Sequence, residues 1–248
     1  MRIDEDRFDR QKRINGWSQP SVSKSKCLVV GAGALGNEVI KLLVQMGVRD
    51  LTLVDYDSIV EANLNRCVFF NSSDIGKLKA EVLAEKAKVM DENARVNTVI
   101  KRLEFLDESF YDRFDCAFSC LDNQAARLHL NAYCYGRVPL VDGGTAGFNG
   151  KVQVVRSPSA CLECAMSKQD YKRMWKKYSC VGEVLDFLDP KMPALATTTS
   201  IIAAMQANEF VKMVHGRDCL EGKYVFFDGL KQETSVYEIR KRNNCPVH

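Results

Sequence analysis

The apolar run Lys26-Cys27-Leu28-Val29-Val30 empties directly into Gly31-Ala32-Gly33-Ala34-Leu35-Gly36. Apolar residues then recur at Val39, Leu42, Leu43 and Met46 with helical spacing, and the helix is predicted over Glu38 to Met46. Strand, GxGxxG turn and helix in that order point to a βαβ unit of a parallel sheet, with backbone N–H groups at the helix start turned toward an anion. The alternation continues. Leu51 to Val54 reads as a second strand, Lys77 to Asn93 as a helix with Leu78, Val82, Leu83, Val89 and Met90 on its apolar stripe, and Arg95 to Lys101 and Asp115 to Cys120 as strands. A helix over Asn123 to Tyr135 and a buried strand over Pro139 to Asp142 follow. Such alternation predicts a Rossmann-like, mostly parallel sheet covered by helices on both faces.

The rest of the chain is less regular. Residues 1 to 25 are polar and basic, with Phe8, Ile14 and Trp17 as apolar anchors, and read as a helical arm lying on another surface. Lys151 to Val155 alternates like a strand, and Cys161 to Pro193 is an irregular excursion. Ala194 to Gly216 is a helix with a glycine stop, and Tyr224 to Phe227 with Ser235 to Ile239 form a C-terminal antiparallel hairpin.

At 248 residues the chain suits one domain. Its formal net charge of +3, from 35 basic and 32 acidic residues, argues against nucleic acid as a partner. Without a long apolar run or the apolar core of a signal peptide in residues 1–7, no membrane association is expected, and the expected location is cytoplasmic. Ten cysteines spread through such a fold read as free thiols, metal ligands or a nucleophile rather than a disulfide framework.

Two features join the glycine loop in a candidate nucleotide site. Gly31, Gly33 and Gly36 would cradle phosphate, and Asp55, 24 residues after Gly31, closes the next strand where its carboxylate can accept from ribose hydroxyls. A nicotinamide dinucleotide fits this much as well as ATP. The following segments supply Asn63, Arg66 and Lys79, an amide and two cations, and a triphosphate needs cations where a pyrophosphate needs little beyond the loop. Cys120-Leu121-Asp122-Asn123 then ends a strand at the carboxyl edge of the sheet. There Asp122 is either a magnesium ligand or an ordinary helix N-cap.

The cysteines offer two further candidates. Cys161-Leu162-Glu163-Cys164 and Cys245-Pro246-Val247-His248 repeat one spacing, and four such ligands, Cys161, Cys164, Cys245 and His248, suit tetrahedral zinc in a small lobe, the alternative being reduced, unliganded thiols. Cys180 lies between the CxxC and the long helix and by itself reads as a loop thiol. Cys27, Cys116, Cys120 and Cys134 read as small core residues, and His129 and His215 have no ligand or base partner in the sequence.

Arg7-Phe8-Asp9-Arg10-Gln11, GAGALG, DYD with NLNR, and CLDN together resemble the ThiF/MoeB/HesA superfamily, relatives of ubiquitin-activating enzymes, over nearly the whole chain. The resemblance implies a single adenylation domain over residues 1–248, with an arm (1–25), a nucleotide-binding half (26–150) and a carrier-binding half with zinc lobe and crossover loop (151–248). It implies ATP, Mg2+ and Zn2+ as cofactors. In a homodimer, Arg10 would cross to the neighbouring subunit's phosphates, Asn63, Arg66 and Lys79 would bind phosphates in the same subunit, and Asp55, with Asp57 in the same DYD segment, would hold the ribose. Asp122 would bind magnesium. The implied reaction is adenylylation of the C-terminal glycine of a small ubiquitin-like or sulfur-carrier protein ending in Gly-Gly, with Cys180 a candidate acceptor for subsequent transfer. The alternatives are a non-catalytic subunit of a heterodimeric activating enzyme and an NAD-dependent dehydrogenase.

Overall fold

The computed structural model describes residues 6–172 and 193–248. One eight-stranded sheet organises them, with strand order β3-β2-β1-β4-β5-β6-β7-β8. The strands are β1 (Lys26–Val30), β2 (Asp50–Val54), β3 (Arg95–Val99), β4 (Cys116–Ser119), β5 (Leu140–Ala146), β6 (Asn149–Val155), β7 (Lys223–Asp228) and β8 (Glu233–Glu238). The first five pair in parallel, and β5 through β8 pair antiparallel. The Rossmann-like expectation holds, and β7–β8 extends the same sheet rather than standing apart as a hairpin. β5 runs on to Ala146 and turns back through Gly147 into β6, an antiparallel pair that the short expected strand over Pro139 to Asp142 does not contain.

The helices are α1 (Asp9–Lys12), α2 (Gln19–Lys24), α3 (Ala34–Met46), α4 (Lys79–Met90), α5 (Gln124–Cys134) and α6 (Ala196–Val214). On one face α3, α4 and α6 pack over Val29, Leu51, Leu53, Phe118, Val141 and Val152. On the other, α5 and the segment Cys161–Cys164 pack over Leu28, Val30, Ala117, Leu140 and Val155. Strands β1 and β4 are buried on both faces, which is why they read as unbroken apolar runs.

Three local expectations shift. The helix expected from Glu38 begins at Ala34, because Gly33 is its N-cap and the glycine loop is already its first turn. Val89, assigned to the α4 stripe, is 88% exposed, and Ile14, taken as an anchor of the arm, is 52% exposed. The arm instead rests on Phe8, against Gly47, and on Trp17, against His215 at a ring separation of 4.7 Å.

Candidate active site

The carboxyl ends of β1, β2 and β4 converge on the glycine loop. Gly31 has φ +99°, and a Cβ there would stand 2.6 Å from the Cys120 carbonyl oxygen; a Cβ on Gly36 would stand 1.9 Å from the Gly31 oxygen. These two glycines let strand and helix approach. Gly33 differs, since a Cβ on it would meet nothing within 4 Å, so it faces open space at the start of α3. The N–H groups of Gly33, Ala34 and Leu35 have no acceptor among the described residues, as expected at a helix N-terminus ready for an anion.

Asp55 follows β2 and is tied to the loop. Its Oδ2 accepts from Ala32 N at 2.6 Å and its Oδ1 from Asp57 N at 2.8 Å. Burial pushes the Asp55 carboxyl above its ordinary range, opposed by the nearby Lys79 cation and those two N–H groups. Lys79 opens α4 and donates its Nζ to Asp57 Oδ2 at 2.7 Å, so Asp57 holds a cation beside the loop. Asn63 is buried and its Oδ1 caps the turn through Val60 N at 3.0 Å; Arg66, on the same turn, lies over the Asn65 side chain at 2.8 Å.

Asp122 is exposed and forms no hydrogen bond or ion pair among the described residues. The N-cap alternative for it is overturned, because Asn123 caps α5, accepting from Ala126 N at 2.8 Å. Arg10 sits elsewhere. Its neighbours Phe8 and Gln11 contact Gly47 and the Met46 carbonyl at the far end of α3, a 13-residue helix about 20 Å long. Cys180 lies outside the described residues.

The four expected metal ligands meet. Cys161, Cys164, Cys245 and His248 offer ligand atoms within 4.8 Å of one another: Cys161 Sγ is 3.9 Å from Cys164 Sγ and 3.5 Å from Cys245 Sγ, and Cys164 Sγ is 3.3 Å from His248 Nε2. Four ligands at zinc–sulfur distance on a tetrahedron stand about 3.8 Å apart, so the residues fit the ion. Tyr135 stacks on the His248 ring, and the Arg242 guanidinium bonds the carbonyls of Glu163 and Met166, holding the CxxC turn. Desolvation, with Lys241 and Arg242 nearby, holds the His248 pKa below its ordinary value, in favour of the neutral ligand form.

Residues 8–247 match the profile of the ThiF family. The chain belongs to the ThiF family. Among curated ThiF-type relatives, it is 27% identical to the sulfur carrier protein ThiS adenylyltransferase of Escherichia coli strain K12, over 97% of this chain and 94% of that one. It is 28% identical to the Nedd8-activating enzyme E1 catalytic subunit of Drosophila melanogaster (90% and 66%), and 39% identical to SUMO-activating enzyme subunit 2 of Dictyostelium discoideum (58% and 22%). The chain thus spans about a fifth of the SUMO relative and just under two thirds of the Nedd8 one. Among solved structures, E. coli MccB with ATP superposes with TM-score 0.80 at 19% identity, over 98% of this chain and 73% of that one, which shows a common fold.

Several working residues of this ThiF domain escape sequence reading. Arg127 of α5 grips the fully buried Asp142 of β5 with two nitrogens, one at 2.9 Å, and lies across Gly144. Gln206 of α6 donates to the carbonyls of Ser119 and Val141, both at 3.0 Å, closing the gap where β4 and β5 part. His215, for which the sequence shows no ligand or base partner, accepts from Ser18 N at 2.9 Å and so clamps the arm. Arg127 and Asp142 lie 15 residues apart, the other contacts 65 to 197, and no local periodicity links them. Among the described residues no helix is long and apolar enough to cross a membrane.

Proposed function

We propose that this ThiF-family chain is an ATP-dependent adenylyltransferase that activates the C-terminal glycine of a small ubiquitin-like or sulfur-carrier protein. One observation carries the reading. Open N–H groups at Gly33 and Ala34, the Asp55 carboxylate, the Lys79 and Arg66 cations and the unpartnered Asp122 share one edge of the sheet. The names of the ThiS, Nedd8 and SUMO relatives support the substrate class.

In this reading Asp55 holds the ribose, the glycine loop and Asn63 bind phosphate oxygens, and Arg66 and Lys79 balance their charge. Asp57 keeps Lys79 in place until a phosphate competes for it. A carboxylate oxygen of the carrier attacks the α-phosphorus, the bond from that phosphorus to the bridging oxygen breaks, and pyrophosphate leaves with the electron pair. No enzyme nucleophile is required; alignment of two mutually repelling anions and fixed cations supply the rate. Asp122 would hold a magnesium ion, which supplies charge neutralisation at phosphate oxygens. Arg10, remote from its own loop, would act on the neighbouring subunit of a homodimer. Cys161, Cys164, Cys245 and His248 would hold a structural zinc, and in a later step the Cys180 thiolate would attack the acyl carbonyl of the adenylate, forming a thioester as the bond to the phosphate oxygen breaks and AMP leaves.

The test is ATP–pyrophosphate exchange with magnesium and a panel of small β-grasp proteins ending in Gly-Gly. Exchange dependent on one of them, lost in Asp122→Ala and Arg66→Ala while their melting temperatures stay unchanged, is the expected result. ATP binding without exchange would favour a non-catalytic subunit, and a melting shift with NAD instead of ATP a dehydrogenase.

A further inference from the structure

Asn37 stands in the first turns of α3 and is fully buried. Asparagine is a poor helix former that favours caps and turns, so a buried one inside a helix calls for specific partners. Here it has three. Its Nδ2 donates to the Ala32 carbonyl at 2.9 Å and the Gly33 carbonyl at 3.0 Å, and its Oδ1 accepts from Phe69 N at 3.1 Å.

A trans peptide is planar, with its C=O and N–H pointing in opposite directions. Holding the Ala32 carbonyl inward turns the Gly33 N–H outward; the Gly33 carbonyl, which the helical Asn37 N also bonds at 2.9 Å, is held inward by both groups and turns the Ala34 N–H outward. Those two N–H groups have no acceptor among the described residues, and they border the open side of Gly33. Neighbouring N–H groups are already spoken for, Gly31 N by the Val54 carbonyl at 2.9 Å and Ala32 N by Asp55. The other end of the Asn37 amide reaches the cation-bearing turn. Arg66 N and Cys67 N bond the Asn63 carbonyl, Phe70 N bonds the Cys67 carbonyl, and Phe69 N, between them, is taken by Asn37.

We infer that Asn37 is a positioning residue for phosphate binding: one side-chain amide sets the orientation of the Gly33 N–H, reinforces that of the Ala34 N–H, and fixes their distance from the Arg66 turn. The inference rests on the reading of this edge as an ATP site. It predicts an effect concentrated at the phosphate end of the ligand, since the ribose carboxylate Asp55 keeps its bond from Asp57 N, which Asn37 does not touch.

The experiment is calorimetric binding of ATP with magnesium and, separately, of adenosine, to the full chain carrying Asn37→Leu or Asn37→Ser. Leucine keeps the volume and removes both polar ends. Serine can still donate to the carbonyl four residues back, that of Gly33, and so restores part of the brace. The expected result is ATP affinity at least tenfold weaker in Asn37→Leu and less weakened in Asn37→Ser, with adenosine affinity within twofold of wild type in both. If Asn37→Leu fails to fold, Asn37→Ser carries the comparison, with ATP weakened twofold or more and adenosine unchanged. Equal weakening of both ligands, or undiminished ATP affinity in a folded variant, overturns the inference, as does wild-type protein that binds no ATP. Wild-type protein that binds ATP without catalysing exchange would remove the adenylylation reading and leave Asn37 in its role.

Discussion

Replacing Gly36 by alanine and Gly33 by alanine separates two demands that one motif meets. A Cβ on Gly36 would lie 1.9 Å from the Gly31 oxygen and 2.9 Å from the Gly31 carbonyl carbon, while ordinary contact begins near 3.4 Å. The Gly31 carbonyl must therefore retreat by about 1.5 Å. It is held by Gly31 N to the Val54 carbonyl at 2.9 Å, and the strand before it by Cys120 N to the Val30 carbonyl at 2.8 Å. Strain in a packed region costs about 1–3 kcal/mol, and each backbone bond lost about 1 kcal/mol. Alanine returns about 1 kcal/mol of helix propensity. The net loss is about 3 kcal/mol, a fall in melting temperature of about 6–12 °C for a domain of this size.

Gly33→Ala meets no atom within 4 Å, so its melting temperature should stay within about 2 °C of wild type, roughly 1 kcal/mol for a domain of this size. Its methyl group instead occupies the space before the open N–H groups, and ATP should no longer raise the melting point. Thermal melts with and without ATP and magnesium read both effects. A Gly36→Ala protein as stable as wild type, or a Gly33→Ala protein stabilised by ATP as wild type is, would refute the division of roles.

Elemental analysis should find one zinc per chain, lost in Cys245→Ser, whose melting temperature should fall below that of wild type because metal binding to this site is also folding free energy. Mixing Arg10→Ala protein with Asp122→Ala protein should restore about a quarter of wild-type exchange, because half of randomly reassorted dimers are mixed and each keeps one intact site. No recovery would place Arg10 outside the site. Asp74 is held below the ordinary carboxylate range, chiefly by the hydrogen bond from Lys86, which also bonds the Phe69 carbonyl at 2.6 Å. Its contribution is present above the unfolded pKa, about 4, and is lost as pH falls through the folded value. Asp74→Asn should thus cost about 1–2 kcal/mol at pH 7, a gap that narrows in urea melts as the pH falls below the ordinary carboxylate range.

Much of the parallel half was legible because its signals are local. Cys27 to Val30 is apolar on both faces, and the glycine loop follows without a break. The antiparallel half was harder, for reasons visible at Gly143, Gly144 and Gly150. In sequence they resemble turn residues, yet all lie in strands, because Gly143 makes room for Gln206, Gly144 for Arg127 and Gly150 for Ile202. Those partners come from α5 and α6, up to 63 residues away, and no periodicity encodes them. Val89 failed for the opposite reason, being apolar in a place where the fold leaves the surface open. Within the candidate site, residue types at strand ends were legible. What was not legible was who holds them: Asp57 on Lys79, Asn123 rather than Asp122 at the cap, and Asn37 behind the loop.

The two ends of α3 tie this site to the question of assembly. Its N-terminus forms the glycine loop, and its C-terminus carries the arm: the Met46 carbonyl accepts from both Gln11 and Gln19, at 2.8 and 2.9 Å, and Phe8 covers Gly47. His215 and Arg217 then fasten residues 15 to 18 to the end of α6. Arg10 thereby stands near one end of a helix whose other end, about 20 Å away, carries the glycine loop proposed to bind phosphate. A single side chain does not span that distance. Under the proposed reading, a triphosphate that met Arg10 would belong to another copy of the chain, and the contacts that dock the arm to its own α3 and α6 would then set where Arg10 points in that assembly. Loosening the clamp at His215 would then lower exchange in the assembled protein while leaving ATP affinity of the isolated subunit untouched.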